Sequence, residues 1–438
     1  MELNFVCIGQ HSMAVREWRP GSTPSAPQGT RDTKAKSGGD VLMSNVYRQN
    51  PDLVGFQSLA GGAVLPVGDY PGGCPEGRAA GRPTSVAAVY AKQKQDVGAP
   101  LPSGGDMSGW AAYLPYLEWP SLGEGGTPLI ELESTDLGRL WIKAEWMNPT
   151  GSHKDRMSPL AVARAVEVGA SGIICASSGN AGISMACYAA KAGLASRVIV
   201  TASLPKPVRR ALATYGADVV VAENSLDRWR VMEEAVKHEG WFPLTNYLLP
   251  PVGSCAWGVE GYKTVAFELA AECREGLDAV IVPTARGDII WGIAAGFATL
   301  AQRGQWNHPL PKLVAVEPFP RISKVLRHEA VITDQFPGST RQASIAGTTA
   351  TDQSLRAVVD TGGTALVIAD ELADAAQHDL AQRSGIYLEL CAAAPYAAIP
   401  HLLAQGHLAG TDRVVLIGTS AGYRDPVAVD AATFRVPA

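Results

Sequence analysis

Asn148-Pro149-Thr150-Gly151-Ser152-His153-Lys154-Asp155-Arg156 decides how the rest of the chain is read. This polar turn stands between a strand-like run, Leu140 to Glu145, and an apolar-periodic segment that opens near Met157. Most lysines are exposed cations, and Lys154 and Arg156 near a helix start fit that reading as they stand. A lysine in a partly desolvated turn, close to cationic or anion-binding groups, has other chemistry open to it. Its amine pKa falls, and the neutral amine attacks an aldehyde to form an imine. The surrounding sequence decides between the two.

From residue 140 onward, short β-branched runs alternate with helical periodicity, which predicts an α/β architecture with a largely parallel sheet. Strands are expected at Gly172 to Ala176, Arg197 to Thr201, Asp218 to Val221, Ala279 to Val282, Leu313 to Val316, Ala365 to Ile368 and Val414 to Ile417. Helices are expected between them, at Ser158 to Val168, Ala181 to Ala192, Val208 to Tyr215, Leu226 to Glu239, Val259 to Glu272, Ile289 to Gln302, Glu371 to Arg383 and Pro395 to Ala404.

Two strand-to-helix turns have the makings of anion sites. Ser177-Ser178-Gly179-Asn180-Ala181-Gly182 follows an apolar strand and opens a helix, so its N–H groups and the helix dipole suit a carboxylate. The rival reading is a nucleotide-binding turn, but the full G-x-G-x-x-G is absent and the next strand ends in Thr201-Ala202-Ser203, without a ribose-binding acid. Pro283-Thr284-Ala285-Arg286-Gly287-Asp288 repeats the strand-to-helix pattern and suits a phosphate, or is an ordinary capped loop. A carboxylate about 4 Å from a phosphate costs on the order of 4 kcal/mol at an effective dielectric near 20. Either Asp288 turns away to cap the following helix, or Arg286 neutralises the excess charge.

With these stretches the chain resembles the tryptophan-synthase β-subunit family of pyridoxal-phosphate enzymes, and within it the threonine-synthase branch. The lysine turn matches the family's N-P-T-G-S-F-K-D-R, with His153 in place of the aromatic residue. Ser121 to Leu129, Ser177 to Gly182, Glu260-Gly261-Tyr262-Lys263-Thr264 and Gly418-Thr419-Ser420-Ala421-Gly422-Tyr423-Arg424-Asp425 match in the right order, so the likeness spans about residues 110 to 425.

The resemblance implies two open, mostly parallel twisted sheets with flanking helices, preceded by an irregular N-terminal extension over 1–105. It implies a large cofactor-binding domain of 106–169 and 256–438, and a small mobile domain of 170–255. Lys154 then carries pyridoxal 5'-phosphate as an imine and acts as the base at the substrate's Cα. Asn180 lies against the cofactor ring and bonds its 3-hydroxyl, while Thr419, with Ser420 as fallback, faces the ring nitrogen. Thr284, Ala285, Arg286, Gly287 and Asp288 hold the phosphate, and Ser177, Ser178, Gly179 and Ala181 hold the carboxylate of an amino-acid substrate. The implied reaction is elimination or replacement at Cβ or Cγ. The alternatives are a serine/threonine dehydratase-type ammonia lyase, a β-replacement synthase, or a non-catalytic cofactor-binding protein. Glu389 matches an acid near the crevice in relatives, with no role assigned. Where the branch commonly carries N-P-x-R, this chain has Cys255-Ala256-Trp257-Gly258, so an arginine for a substrate phosphate is missing and Trp257 favours a bulkier or less charged substrate.

Composition agrees with such an enzyme. At 438 residues the chain exceeds one core, so two domains and an extension are expected. Its 37 basic and 42 acidic residues leave a net charge of -5, which offers no field for nucleic acid. Seven cysteines without a Cys-x-x-Cys pair and eight scattered histidines argue against a disulfide framework or a metal site. No run of about 18 apolar residues and no basic-then-apolar leader is present. A cytoplasmic protein, dimeric like many relatives, is expected. Residues 1–105, rich in Gly, Pro and Ser, read as an arm that packs on the main body or on a partner subunit.

Overall fold

The computed structural model of the chain describes residues 16–17, 47–91, 101–102, 105–134, 136–177, 179–202 and 204–425. A six-stranded sheet runs in the order Thr364–Val367, Lys312–Glu317, Ala279–Pro283, Arg413–Ile417, Arg139–Lys143, Leu129–Leu132. All neighbours are parallel except the last pair, an antiparallel edge. Ala279–Pro283 lies in the middle and is buried at every residue, as a parallel strand covered on both faces has to be. A second sheet, Arg16–Glu17, Asp218–Ala222, Ser196–Thr201, Gly172–Ala176, Trp241–Pro243, is parallel throughout.

Every expected strand is present to within about two residues. The short edge strands Leu129–Leu132 and Trp241–Pro243 were not expected, because four or three residues carry too little periodicity to register. The helix expected over Val259 to Glu272 is three consecutive pieces: Ala256–Val259, a tighter turn Glu260–Tyr262, and Lys263–Glu272. The helix expected from Pro395 begins at Leu390 and runs to Ala404, since Pro395 is accommodated inside it.

The N-terminal extension contains structure that its composition hid. Val64–Leu65, Leu53–Ser58 and Val86–Tyr90 form an antiparallel sheet among the glycines and prolines. It packs on the main body through Phe56, whose ring lies 5.0 Å from that of Trp257; Tyr116, from the main body itself, lies 5.4 Å from the same indole. The Trp257 indole N–H donates to the Gly68 carbonyl at 3.1 Å. Trp257 is therefore a core anchor for the extension, which overturns its expected part in choosing the substrate: an aromatic ring 1% exposed beneath another sheet has no free face for a ligand.

The carboxyl ends of Arg139–Lys143, Gly172–Ala176, Ala279–Pro283 and Arg413–Ile417 lead into the segments that carry Lys154, Asn180, Arg286 and Thr419. That is where open α/β sheets place ligands. Among the described residues, no helix is long and apolar enough to cross a membrane, and no three His, Cys, Asp or Glu side chains group as metal ligands would.

Candidate active site

The lysine loop is fixed by its own motif. Asp155 accepts from the backbone N–H and the hydroxyl of Thr150, both at 2.6 Å, and closes the turn on itself. The Arg156 guanidinium, fully buried, donates to both oxygens of Glu145 and both of Glu268, and to the hydroxyls of Thr264 and Thr127. Burial works against the Glu268 carboxylate, but Arg156 and Lys143 hold its pKa down to about 2. Gly261 lets the backbone of Glu260-Gly261-Tyr262 press against this loop, for a Cβ there would lie 1.8 Å from the Arg156 carbonyl oxygen.

Lys154 projects from this frame into the crevice. Its amine donates to the Tyr262 hydroxyl at 3.3 Å, and no described carboxylate pairs with it directly. Burial lowers its pKa; Asp288 opposes that shift and Arg286 adds to it, while Cys391 and Glu389 oppose it more weakly. A half-buried ammonium without an ion pair gives up its proton more readily than one in water, and a neutral amine is a nucleophile. Tyr262 belongs to the matching stretch Glu260 to Thr264, from which the resemblance implies no role for it. It reaches Lys154 because Gly292 allows the opposing helix within contact: a Cβ at Gly292 would sit 2.3 Å from that of Tyr262.

The turn after the last strand pairs with the lysine loop through a bridge between Ser152 and Ser420, and the His153 backbone N–H donates to the Thr419 carbonyl at 2.9 Å. The His153 ring lies 5.6 Å from the Tyr262 ring, filling the place of the expected aromatic residue. Burial, followed by the charge of Lys154, pushes its pKa well below the usual range. Because a carbonyl only accepts, the Nδ1 atom that faces the Thr419 oxygen at 3.2 Å carries the proton of the neutral ring.

Asn180 opens the Asn180–Ala192 helix. Its Nδ2 lies 3.0 Å from each Glu389 oxygen, and its Oδ1 accepts from Arg424 and, at 3.3 Å, from Ser420. Ser177 caps the same turn by accepting from the Gly179 N–H at 3.3 Å, and Ala181 is buried in the first helical turn. Ser178 lies outside the described residues. Glu389, unassigned in the sequence, is thus brought against Asn180, and burial raises its pKa, with Asp425 adding to the effect.

Gly287, at φ +85°, turns the chain into the Asp288–Gln302 helix. The carbonyls of this loop are tethered from outside: Arg321 donates to those of Thr284 and Ala285, and Thr351 and Gln353 donate to that of Arg286. Thr284 has committed its N–H to Val316 and its hydroxyl to Val282, so it anchors the loop and has no polar hydrogen left for a ligand. The first N–H groups of the helix have no carbonyl one turn back to bond. Asp288 does not cap them. Its carboxylate accepts from the Ser254 N–H and hydroxyl at 3.0 and 2.6 Å and from Gln353 at 2.5 Å, which corrects the capping alternative. Arg286 reaches Thr349 at 3.1 Å and lies over the Trp229 ring at 5.0 Å. Burial presses its pKa down to about 10, Asp288 opposes, and Arg321 and Arg228 add to the fall.

A half-buried amine without an ion pair, an amide of fixed polarity and a helix N-terminus with outward-tied carbonyls form the donor set that a cofactor with an aldehyde and a phosphate requires. The comparisons with known proteins agree. The family described as "Pyridoxal-phosphate dependent enzyme" matches residues 120–420. Threonine synthase of Methanocaldococcus jannaschii is 32% identical over 331 residues, 72% of this chain and 80% of that one. Threonine synthase of Halalkalibacterium halodurans is 29% identical over 330 residues, 74% of this chain and 90% of its own. Maize serine racemase superposes with a TM-score of 0.58 at 19% identity, covering 70% of this chain and 89% of its own. Threonine deaminase isoform 2 from Solanum lycopersicum, in its processed form, does so with 0.56 at 19% identity, covering 70% and 80%. The chain belongs to the pyridoxal-phosphate dependent enzyme family.

Proposed function

We propose that the chain eliminates a leaving group from the side chain of an amino acid and adds water or another nucleophile, in the manner of the threonine synthases it resembles in sequence. The observation that carries this reading is the half-buried Lys154 amine, beside Tyr262 and without a carboxylate partner. Lys154 would hold the cofactor through its Nζ and, with that amine free, would take the Cα proton there. Pyridoxal 5'-phosphate, when bound, supplies the electron sink that stabilises negative charge at that carbon. Asn180 holds its ring hydroxyl and Thr419 its ring nitrogen. The N–H groups of 285–288 and the Arg286 guanidinium hold its phosphate, with Thr284 anchoring that loop. Ser177, Ser178, Gly179 and Ala181 bind and orient the substrate carboxylate. In this reading residues 170–255 move as a small lobe against 106–169 and 256–438, closing the crevice to water, and the active form is a cytoplasmic homodimer.

A second reading is dehydration of serine or threonine, or β-replacement. It is favoured by the absence of arginine from Cys255-Ala256-Trp257-Gly258 and by the Asp288 carboxylate bound at Ser254, immediately before that stretch. Incubating the loaded protein with O-phosphohomoserine, serine and threonine, and identifying the products, separates the two. Threonine and inorganic phosphate from the first substrate support the first reading; a 2-oxo acid and ammonia from the others support the second. Borohydride reduction followed by peptide mapping has to find the cofactor on Lys154; a modification elsewhere, or none, ends both.

A further inference from the structure

We propose that Glu389 and Arg424 are positioning residues that lock the Asn180 carboxamide in one orientation, and that this lock presents a single N–H to a ligand oxygen in the crevice. The inference rests on the reading that Asn180 faces the cofactor.

Asn180 is gripped at both ends by groups of opposite polarity, the guanidinium end fixing the sense. A guanidinium has donors only, so the Asn180 atom that meets Arg424 is its oxygen. An ionised carboxylate has acceptors only, so the atom that meets Glu389 is its nitrogen. Rotating the amide by half a turn would set oxygen against carboxylate and N–H against guanidinium, two mismatches at once. Glu389 is itself held: Ser344 donates to it at 3.0 Å and the Cys391 thiol at 3.5 Å. The clamp is assembled from four distant pieces of chain: the start of the Asn180–Ala192 helix, the Ala343–Ile345 turn, the residue before the Leu390–Ala404 helix, and the Gly422–Arg424 turn.

The count of hydrogens gives the lock its consequence. A primary amide has two N–H bonds. Equal distances of 3.0 Å to the two Glu389 oxygens describe one of them shared between both. The other has only Ser344, at 3.5 Å, which is too long for a strong bond. That second N–H is the donor left for a ligand. The charges facing Glu389 are Lys154, Arg424 and Asp425, with the Cys391 thiol beside them, so removing Arg424 leaves an acidic pair beside the amide.

The test uses the full-length protein stripped of cofactor and titrated with pyridoxal 5'-phosphate. The readouts are the dissociation constant, the absorption maximum of the loaded protein and the pH midpoint of that band. Asn180→Ala is expected to weaken affinity about tenfold, the worth of one hydrogen bond, and to shift the band. Arg424→Met and Glu389→Gln should each shift the band and its midpoint in part. Arg424→Met added to Asn180→Ala should add nothing, since residues acting through one group are not additive. Arg424→Lys and Glu389→Asp, which keep charge and polarity, should restore most of the band and confirm that the fold is intact. Unchanged band and midpoint in Arg424→Met and Glu389→Gln, or full additivity with Asn180→Ala, overturns the lock. An unchanged band in Asn180→Ala itself overturns the underlying reading, and the lock with it.

Discussion

Two loops leave the six-stranded sheet for the crevice, and they are held in opposite ways. The lysine loop, 148–156, is fixed by its own side chains: Asp155 bonds Thr150, and Arg156 reaches out to the two buried acids Glu145 and Glu268. The loop at 284–288 is fixed from without, by Arg321, Thr351 and Gln353 reaching its carbonyls. Its own charged residues, Arg286 and Asp288, face the crevice region and bear electrostatically on Lys154. The first arrangement gives a rigid pedestal for one reactive atom. The second holds backbone direction and sets two opposite charges, Arg286 on Thr349 and Asp288 on Ser254 and Gln353, where they tune Lys154.

Breaking the pedestal is expected to have the largest effect. Arg156→Met leaves Glu145 and Glu268 buried beside Lys143 with one cation too few, and losing one partner of a buried pair costs about 3–5 kcal/mol. Urea unfolding should show this drop in a protein that has also lost its affinity for the cofactor. A drop below about 1 kcal/mol would mean that the network contributes little.

The two loops also differ at their glycines, both of positive φ. At Gly151 an added Cβ would meet the movable end of Arg424 at 3.1 Å, whereas at Gly287 it would lie 2.5 Å from the Ser354 Cβ and 2.7 Å from its Cα. Each alanine pays about 1–2 kcal/mol for the left-handed backbone. Gly287→Ala adds an overlap that costs a further ~1–3 kcal/mol. Thermal unfolding should therefore rank Gly287→Ala as the more damaging, and the reverse order would place the rigid loop on the wrong side of the comparison.

The same contrast explains what could be read from the sequence. Asn148, Thr150, Asp155 and Arg156 fall inside a nine-residue window with Lys154, so the pedestal announces itself. The alternation of apolar strands and helices gave both sheets, because parallel strands are apolar along their length. The anchors of the second loop lie 36 to 67 residues downstream and bond to carbonyls, which every residue type possesses, so no pattern marks them. The contacts of Glu389 and Arg424 with Asn180 escaped for a related reason: each reaches it from more than 200 positions away. Trp257 misled because a substitution in a matching stretch was given a ligand's meaning, when its ring faces the N-terminal sheet.

A smaller effect, graded by pH, comes from inside the pedestal. Burial lifts the Asp155 carboxyl to about 6, against the bonds from Ser184 and Thr150. A folded-state value above the unfolded one, near 3.9, means that the folded protein binds this proton more tightly. The resulting stability is fully present below about pH 4 and is lost as pH rises through about 6. Asp155→Asn cannot titrate, so the fall in unfolding free energy between pH 4 and 6.5 should be shallower in it than in the parent. Urea midpoints across that range check the slope; parallel curves would show that Asp155 stays ionised in the folded state.

The smallest effects belong to the tunable loop, and their value lies in opposite signs. Arg286 lowers the Lys154 pKa and Asp288 raises it, so Arg286→Ala should move the amine's titration to higher pH and Asp288→Asn to lower pH. Cofactor affinity should move as well, because one change removes a cation near the expected phosphate and the other an anion. For partly exposed groups each shift is worth ~1 kcal/mol or less, a few-fold in affinity, and fades as salt is added. The rate at which an amine-selective reagent labels Lys154 in the cofactor-free protein, followed against pH, gives the first pair of shifts, and fluorescence titration with pyridoxal 5'-phosphate gives the second. If both variants moved affinity the same way, the loop would act through its shape, as the pedestal does, and the distinction between the two loops would disappear.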